Sequence, residues 1–335
     1  MNAIEATGVE LTYSDGTEAV RGIDLAIPEG EFFGFLGPNG AGKTTAIKTF
    51  TTLLYPTAGT VTVNGFDVVD DAQSVRETIG YMAQETSVDE ELTARENIKF
   101  ACEAYGVPRG ERADRIDELL DLVDLADVAD KEATEFSGGM KKRLDVATAL
   151  VHEPPLVFLD EPTTGLDPKA RIRLWEYFRE INEQGTTVFL TTQYLEEADE
   201  LCDRLSVIQD GKIVATDAPD TLKSEVGGDV LDITIDDASE ERRAHAAEVA
   251  RESGLFADGT VEITDDGISV ASEHARSRGT DLLLALRDAD FTVTGFDVRS
   301  PTLDDVFLAI TGEPAEEDDE PAEGTRESAA PEAAQ

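Results

Sequence analysis

A mixed α/β fold is predicted by three features of the sequence. Apolar stretches of strand length, "GEFFGFL", "PPLVFLDEP" and "TTVFLTTQ", lie far apart in the chain. The segments between them carry helical periodicity. Directly after the first stretch stands the glycine-rich "GPNGAGKTT", which opens a helix, so strand, glycine loop and helix follow one another as in a P-loop unit.

Each element can be justified in order. Ahead of the loop, "GVELTYS" and "GIDLAI" alternate in strand fashion. After it come a strand at "GTVTVNG" and a helix start at "SVRE", where Ser74 and Glu77 have capping-box spacing, a signal that Thr93 and Glu96 repeat. From about 85 to 137 the pattern is helical and strand-poor, including "IDELLDLVDLADVAD", which predicts a helical insert in the α/β core. The helix around "RIRLWEYFREI" separates the two later strands, and "RLSVIQDGKIVATD" reads as a hairpin turning at Asp-Gly. Beyond about 226, "VLDITID", a helix from about 239, "TVEITDDGISVAS", "TDLLLALRDAD" and "FTVTGFDVRS" spell strand, helix, hairpin, helix, strand. That order suits a small α+β ferredoxin-like module, with "TLDDVFLAIT" as its closing helix. The predicted organisation is therefore a first domain over 1–225, a second over 226–312, and an acidic tail over 313–335 whose Pro, Glu, Asp and Ala content predicts disorder.

Composition narrows the partners. Lys and Arg number 28 against 72 Asp and Glu, a net charge of -44 dispersed along the chain. Such a surface disfavours nucleic acid, whose phosphates are bound by clustered Lys and Arg. It reads as the solvated surface of a halophile's protein, since molar salt screens charge to about 3 Å. Cys102 and Cys202 lie far apart with no metal-ligand spacing, which predicts neither a disulfide framework nor a zinc site and fits a reducing cytoplasm. The opening residues lack a basic segment followed by an apolar one, and no apolar run approaches the roughly 18 residues of a span, so membrane contact is expected only through a partner.

The chemistry is carried by three stretches. In "GPNGAGKTT", backbone amides of the loop around Gly37, Asn39, Gly40 and Gly42 cradle phosphates, Lys43 reaches the β and γ phosphates, and the hydroxyl of Thr44, next to Thr45, suits Mg²⁺. In "LVFLDEP", Asp160 and Glu161 point to opposite faces of a strand end, so one can hold Mg²⁺ while the other activates a water. In "EFSGGMKKRLDVATAL", Ser137, Gly138 and Gly139 open a helix, which is either a plain cap or a second anion site. With one P-loop per chain, the arrangement that closes the far side of a triphosphate is two copies, each giving its Ser137–Gly138–Gly139 start to the other.

With "GPNGAGKTT", "YMAQE", "FSGGM", "LVFLDEP", "GLD" and "TTQYLEEAD" in this order over roughly 1–220, the chain resembles the ATP-binding subunits of ABC transporters. The resemblance implies an ATPase that uses ATP and Mg²⁺ and works as a head-to-tail homodimer. It implies that Tyr13 stacks on adenine, that Gln84 links Mg²⁺ to the transmembrane partner, and that Asp167 crosses the dimer interface. "TTQYLEEADELCDRL" and "SPTLDDVFLAITG" are similar to the daunorubicin-resistance type of exporter ATPase in the ABC-2 class. That implies a separate permease gripped near 85–105, export of a drug-like or lipophilic compound, and a place on the cytoplasmic face of the membrane. The chain departs from the common pattern at Phe136 and Met140, which leave Ser-Gly-Gly intact, and at Gln193, where most members have His. A Gln amide donates a hydrogen bond but takes no proton, so the general base is expected to be Glu161. The competing expectation is a soluble ABC-type ATPase acting on ribosomes or nucleic acid; such proteins usually carry two cassettes or a long coiled-coil insertion, and this sequence has neither. A GTPase would want an N-K-x-D motif, which does not occur.

Overall fold

In chain order, strands β1 (Asn2–Thr12), β2 (Glu18–Pro28) and β3 (Phe32–Leu36) lead into helix α1 (Lys43–Phe50). β4 (Ala58–Val63), β5 (Phe66–Asp67), α2 (Ala72–Glu77) and β6 (Ile79–Met82) precede three helices, α3 (Ala94–Ala104), α4 (Arg112–Leu122) and α5 (Gly138–Ala149). Then come β7 (Leu156–Asp160), α6 (Pro168–Glu183), β8 (Thr187–Thr192), α7 (Leu195–Leu201), β9 (Arg204–Gln209), β10 (Lys212–Asp217) and α8 (Pro219–Glu225). The C-terminal part holds β11 (Asp229–Ile235), α9 (Glu240–Glu252), β12 (Thr260–Ile263), β13 (Gly267–Ser272), α10 (Ala275–Asp288), β14 (Val293–Arg299) and α11 (Leu303–Thr311). This computed structural model describes residues 1–225, 228–236, 238–257 and 259–311, so the acidic tail expected at 313–335 lies outside the described residues.

A six-stranded sheet, ordered β10-β9-β3-β8-β7-β6, is parallel except for the β9–β10 hairpin. Its buried strands show why their sequences are apolar throughout rather than alternating: both faces are covered. Phe33, Phe35, Leu156, Phe158 and Phe189 face a core shared with α1 and the antiparallel sheet β2-β1-β4-β5. Phe32, Leu36, Val157, Leu159, Val188 and Leu190 face the other way, against the α3–α7 helices. Phe189 lies at the centre of the first core, its ring 5.4 to 5.8 Å from those of Phe33, Phe35, Phe50 and Phe158.

Local signals behaved differently at the two expected capping boxes. At Thr93 the box forms: its hydroxyl accepts from the Glu96 amide at 3.2 Å and its amide donates to the Glu96 carboxylate at 3.0 Å. At Ser74 and Glu77 it does not, because α2 already begins at Ala72 behind Asp71 and Ser74 falls inside the helix. The Asp67 carboxylate has turned the chain earlier by accepting from the amides of Val69 and Asp70 at 2.8 and 3.0 Å. The Asp-Gly hairpin forms as expected, with Asp210 and Gly211 at φ 49° and 77°.

The C-terminal sheet is antiparallel, ordered β12-β13-β11-β14, with α9 and α10 packed on one face around Leu231, Ile233, Ile268, Val270, Leu282 and Leu286. The helix that follows it packs elsewhere. In α11, Leu303, Val306 and Phe307 are buried in the core of the first domain, beside α7 and α8. Arg299 ties the sheet to this helix by pairing with Asp305 at 2.6 and 2.9 Å and with Asp232 at 2.7 Å.

Candidate active site

Strand register brings the expected groups to one edge. In the parallel sheet Phe35, Thr191 and Asp160 are neighbours, as are Leu36 and Thr192, and Met82 pairs with Leu159. The residues just beyond these carboxyl ends, Gly37, Gln193, Glu161 and Gln84, therefore emerge together, where α/β sheets place their ligands.

The P-loop wraps Lys43, which is 4% exposed. Its ammonium donates to the carbonyls of Gly37 at 2.6 Å and Pro38 at 3.2 Å and pairs with Glu161 at 3.1 Å. Asn39 and Gly40 form the exposed tip of the loop. Gly42 stands at φ 109°, and a Cβ there would collide with the Ala19 carbonyl oxygen, so only glycine fits. Thr45 bonds the hydroxyl of Tyr13 at 3.0 Å, which holds that partly exposed ring beside the start of α1.

Asp160 and Glu161 are both buried, and their surroundings differ. One oxygen of Asp160 accepts from Thr191 at 2.7 Å and from Thr44 at 3.3 Å; the other, Oδ2, is buried with no hydrogen-bond partner. Burial pushes this carboxyl up, and the neighbouring Glu161 charge adds to the effect. The same burial, with Asp160 close by, pushes the Tyr81 phenol up to about 12. Glu161 sits in the left-handed region at φ 47°, a strained conformation for a carboxylate residue, fixed by its amide donating to the carbonyl and hydroxyl of Thr191 at 3.0 and 3.2 Å. From there it meets Lys43 and accepts from the Gln84 amide at 2.9 Å.

Sequence reasoning did not single out what holds this cluster. Thr191 touches both acidic residues; its only signal was its place in "TTQ" at a strand end. Three contacts fasten α5 to the stretch after Gln84: Lys142 to the Gln84 carbonyl at 2.6 Å, Asp145 to the Ser87 hydroxyl at 2.6 Å, and Lys141 to Glu90 at 2.6 Å. Gln193 follows β8 with its Oε1 buried and unpartnered.

The remaining expected residues gather at a second place. Ser137 caps α5 by accepting from the Met140 amide at 3.3 Å, and Asp167 caps α6 by accepting from the amides of Lys169 and Ala170, both at 3.0 Å. The two helix starts meet at Gly139, where a Cβ would lie 3.1 Å from that of Ala170. Ser137, Gly139 and Asp167 line a cleft of about 220 Å³ together with Arg143, Lys169 and Arg173. Gly138 opens the first turn of α5 beside it.

Residues 20–164 match the ABC transporter family. The chain is 42% identical to daunorubicin resistance ATP-binding protein DrrA3 of Streptomyces coeruleorubidus over 312 residues, 93% of this chain and 96% of that one. It belongs to the ABC transporter ATP-binding proteins. Linearmycin resistance ATP-binding protein LnrL of Bacillus subtilis is 34% identical over 92% of this ABC protein and 98% of its own length. Among solved structures, cbiO1 of Clostridium perfringens, part of the ABC transporter complex cbiONQ, superposes with a TM-score of 0.63 at 28% identity, covering 67% of this chain and 91% of that one. The ATP-binding cassette MJ0796, in a dimeric post-hydrolysis state bound to ADP and Pi, gives 0.59 at 28% identity over 64% of this chain and 98% of its own. As an ABC cassette the chain binds ATP and hydrolyses it to drive transport. No helix among the described residues is long and apolar enough to cross a membrane.

Proposed function

We propose that the chain is the motor of an exporter for drug-like or lipophilic compounds, working as a homodimer on the cytoplasmic face beneath a separate ABC-2 permease. The observation that carries the motor reading is the division of the site: acid, base and lysine converge in one chain, while the helix starts of Ser137 and Asp167 face a different, basic cleft. Lys169, with Arg143 and Arg173 that share the Asp124 carboxylate at 3.3 and 3.1 Å, gives that cleft its basic lining in a chain of net charge -44, which supports a place for phosphate. Export is supported by relatives named for resistance to daunorubicin and linearmycin and for Nod factor export.

In this reading Lys43 and Glu161 neutralise each other until the triphosphate arrives. The β and γ phosphates then take Lys43, and Glu161 is released to remove the proton from the water that attacks the γ phosphorus. Gln193 donates its amide to the γ phosphate, and Tyr13 stacks on adenine. The oxygen donors of Thr44 and Asp160, with the unpartnered Asp160 Oδ2, fit Mg²⁺, and Gln84, held by Glu161, is the further ligand we assign to it. When bound, the ion would offset charge on the phosphates. Ser137, Gly138, Gly139 and Asp167 of one copy close the site of the other. We also read the strand order of the C-terminal sheet as a ferredoxin-like module.

The test is copurification of the tagged chain from solubilised native membranes in molar salt with ATP and Mg²⁺. Recovery of one multi-span membrane protein is expected; recovery of ribosomes or nucleic acid instead would move the reading to a soluble ABC-type ATPase.

A further inference from the structure

Glu197 is a carboxylate with 0% exposure in helix α7, four residues beyond Gln193. One of its oxygens, Oε1, accepts two hydrogen bonds, from the Thr163 hydroxyl at 2.9 Å and from the Trp175 indole N–H at 2.9 Å. Its other oxygen is buried without a hydrogen-bond partner. Thr163 lies two residues after Glu161, in the stretch that runs to Asp167; Trp175 lies on α6, the helix that Asp167 caps. A single atom thus joins the segment after the base, the helix behind Asp167 and the helix behind Gln193. A buried carboxylate is costly, and a well-packed apolar side chain would hold three elements together without it. What the carboxyl adds is direction, since its donors fix where the Thr163 and Trp175 backbones stand relative to α7.

We infer that Glu197 is a positioning residue that makes the Glu161-to-Asp167 segment and the Gln193 helix move as one body, so that the base and the γ-phosphate donor reach the nucleotide together. The inference rests on the roles proposed above for Glu161, Gln193 and Asp167. Burial pushes the Glu197 carboxyl up, and what the geometry uses is an acceptor at Oε1 for Thr163 and Trp175, which a neutral side chain of the same shape supplies as well. The negative charge is not the useful part.

The full-length chain is assayed for ATP hydrolysis in molar salt. Glu197→Ala is expected to lower kcat about tenfold with KM within about threefold, the split that marks a group needed for the chemical step and not for binding. Glu197→Gln, which keeps the acceptor, is expected to restore at least half of the wild-type kcat. A wild-type kcat in Glu197→Ala overturns the inference, as does a Glu197→Gln variant as slow as Glu197→Ala. Should Glu197→Ala not fold, Thr163→Val and Trp175→Phe each remove one donor; a loss confined to kcat is expected in both, and wild-type rates in both overturn it. Glu161→Gln runs alongside: hydrolysis by that variant at wild-type rate counts against the base assignment, whereas a dead Glu161→Gln beside a fully active Glu197→Ala counts against Glu197 alone.

Discussion

The ends of β3, β7 and β8 and the cleft between α5 and α6 are both built from backbone turns that aim polar groups outward, yet they are finished to different degrees. At the strand ends the charged groups already have partners from the same chain, Lys43 with Glu161, Gln84 with Glu161, Thr44 and Thr191 with Asp160, while Asp160 Oδ2 and Gln193 Oε1 are buried without a hydrogen-bond partner. In the cleft, Ser137 and Asp167 accept from amides of their own first turns, and Arg143 and Arg173, which line the opening with Lys169, share the Asp124 carboxylate at 3.3 and 3.1 Å. In the proposed function, the first region holds its chemistry in check until a phosphate competes for Lys43. The second has nothing of its own to act on. The contrast is what the proposed pairing of two copies needs, since each region then has a use in the other chain.

The sharpest way to break this contrast is Glu161→Gln. It is expected to lower phosphate release by about 100-fold or more while leaving nucleotide binding in place, the loss typical of removing a general base. A wild-type rate would put the base elsewhere. Gln193→Ala is expected to slow steady-state hydrolysis about tenfold, in line with losing one hydrogen bond to a charged group. A wild-type rate there would make Gln193 a bystander at a strand end. The cleft is tested by mixing two inactive chains, Lys43→Ala and Ser137→Arg. Random pairing leaves one intact composite site in each mixed dimer, so about a quarter of wild-type turnover is expected in an equal mixture. If no activity returns, the cleft does not serve the other copy.

The sequence showed the α/β core and the P-loop clearly because both depend on local rules: apolar strand runs, a glycine where only glycine fits, and a hairpin at Asp-Gly. Gln84, Asp160 and Glu161 were legible as types in a pattern. Their meeting was not, because it depends on parallel register between strands distant in the chain, such as the pairing of Met82 with Leu159 and of Phe35 with Thr191. Thr191 and Glu197 went unremarked for a related reason, since a threonine at a strand end or a glutamate in an acidic helix is ordinary until its burial is known. The capping pattern at Ser74 misled because Asp67, outside the pattern, turned the chain first.

The seat of α11 has a consequence for how the protein is made. Leu303, Val306 and Phe307 complete a core whose other members begin at Phe32, with a whole sheet module between. A ribosome delivering the chain from its N-terminus therefore has the P-loop, both carboxylates and the Gln193 helix out in solution while that core still lacks three of its side chains. Domains usually fold as units in order of synthesis. Here the first one reaches its final packing only after the C-terminal sheet has been translated, and a nascent cassette carries an open apolar seat beside α7 and α8 until α11 arrives.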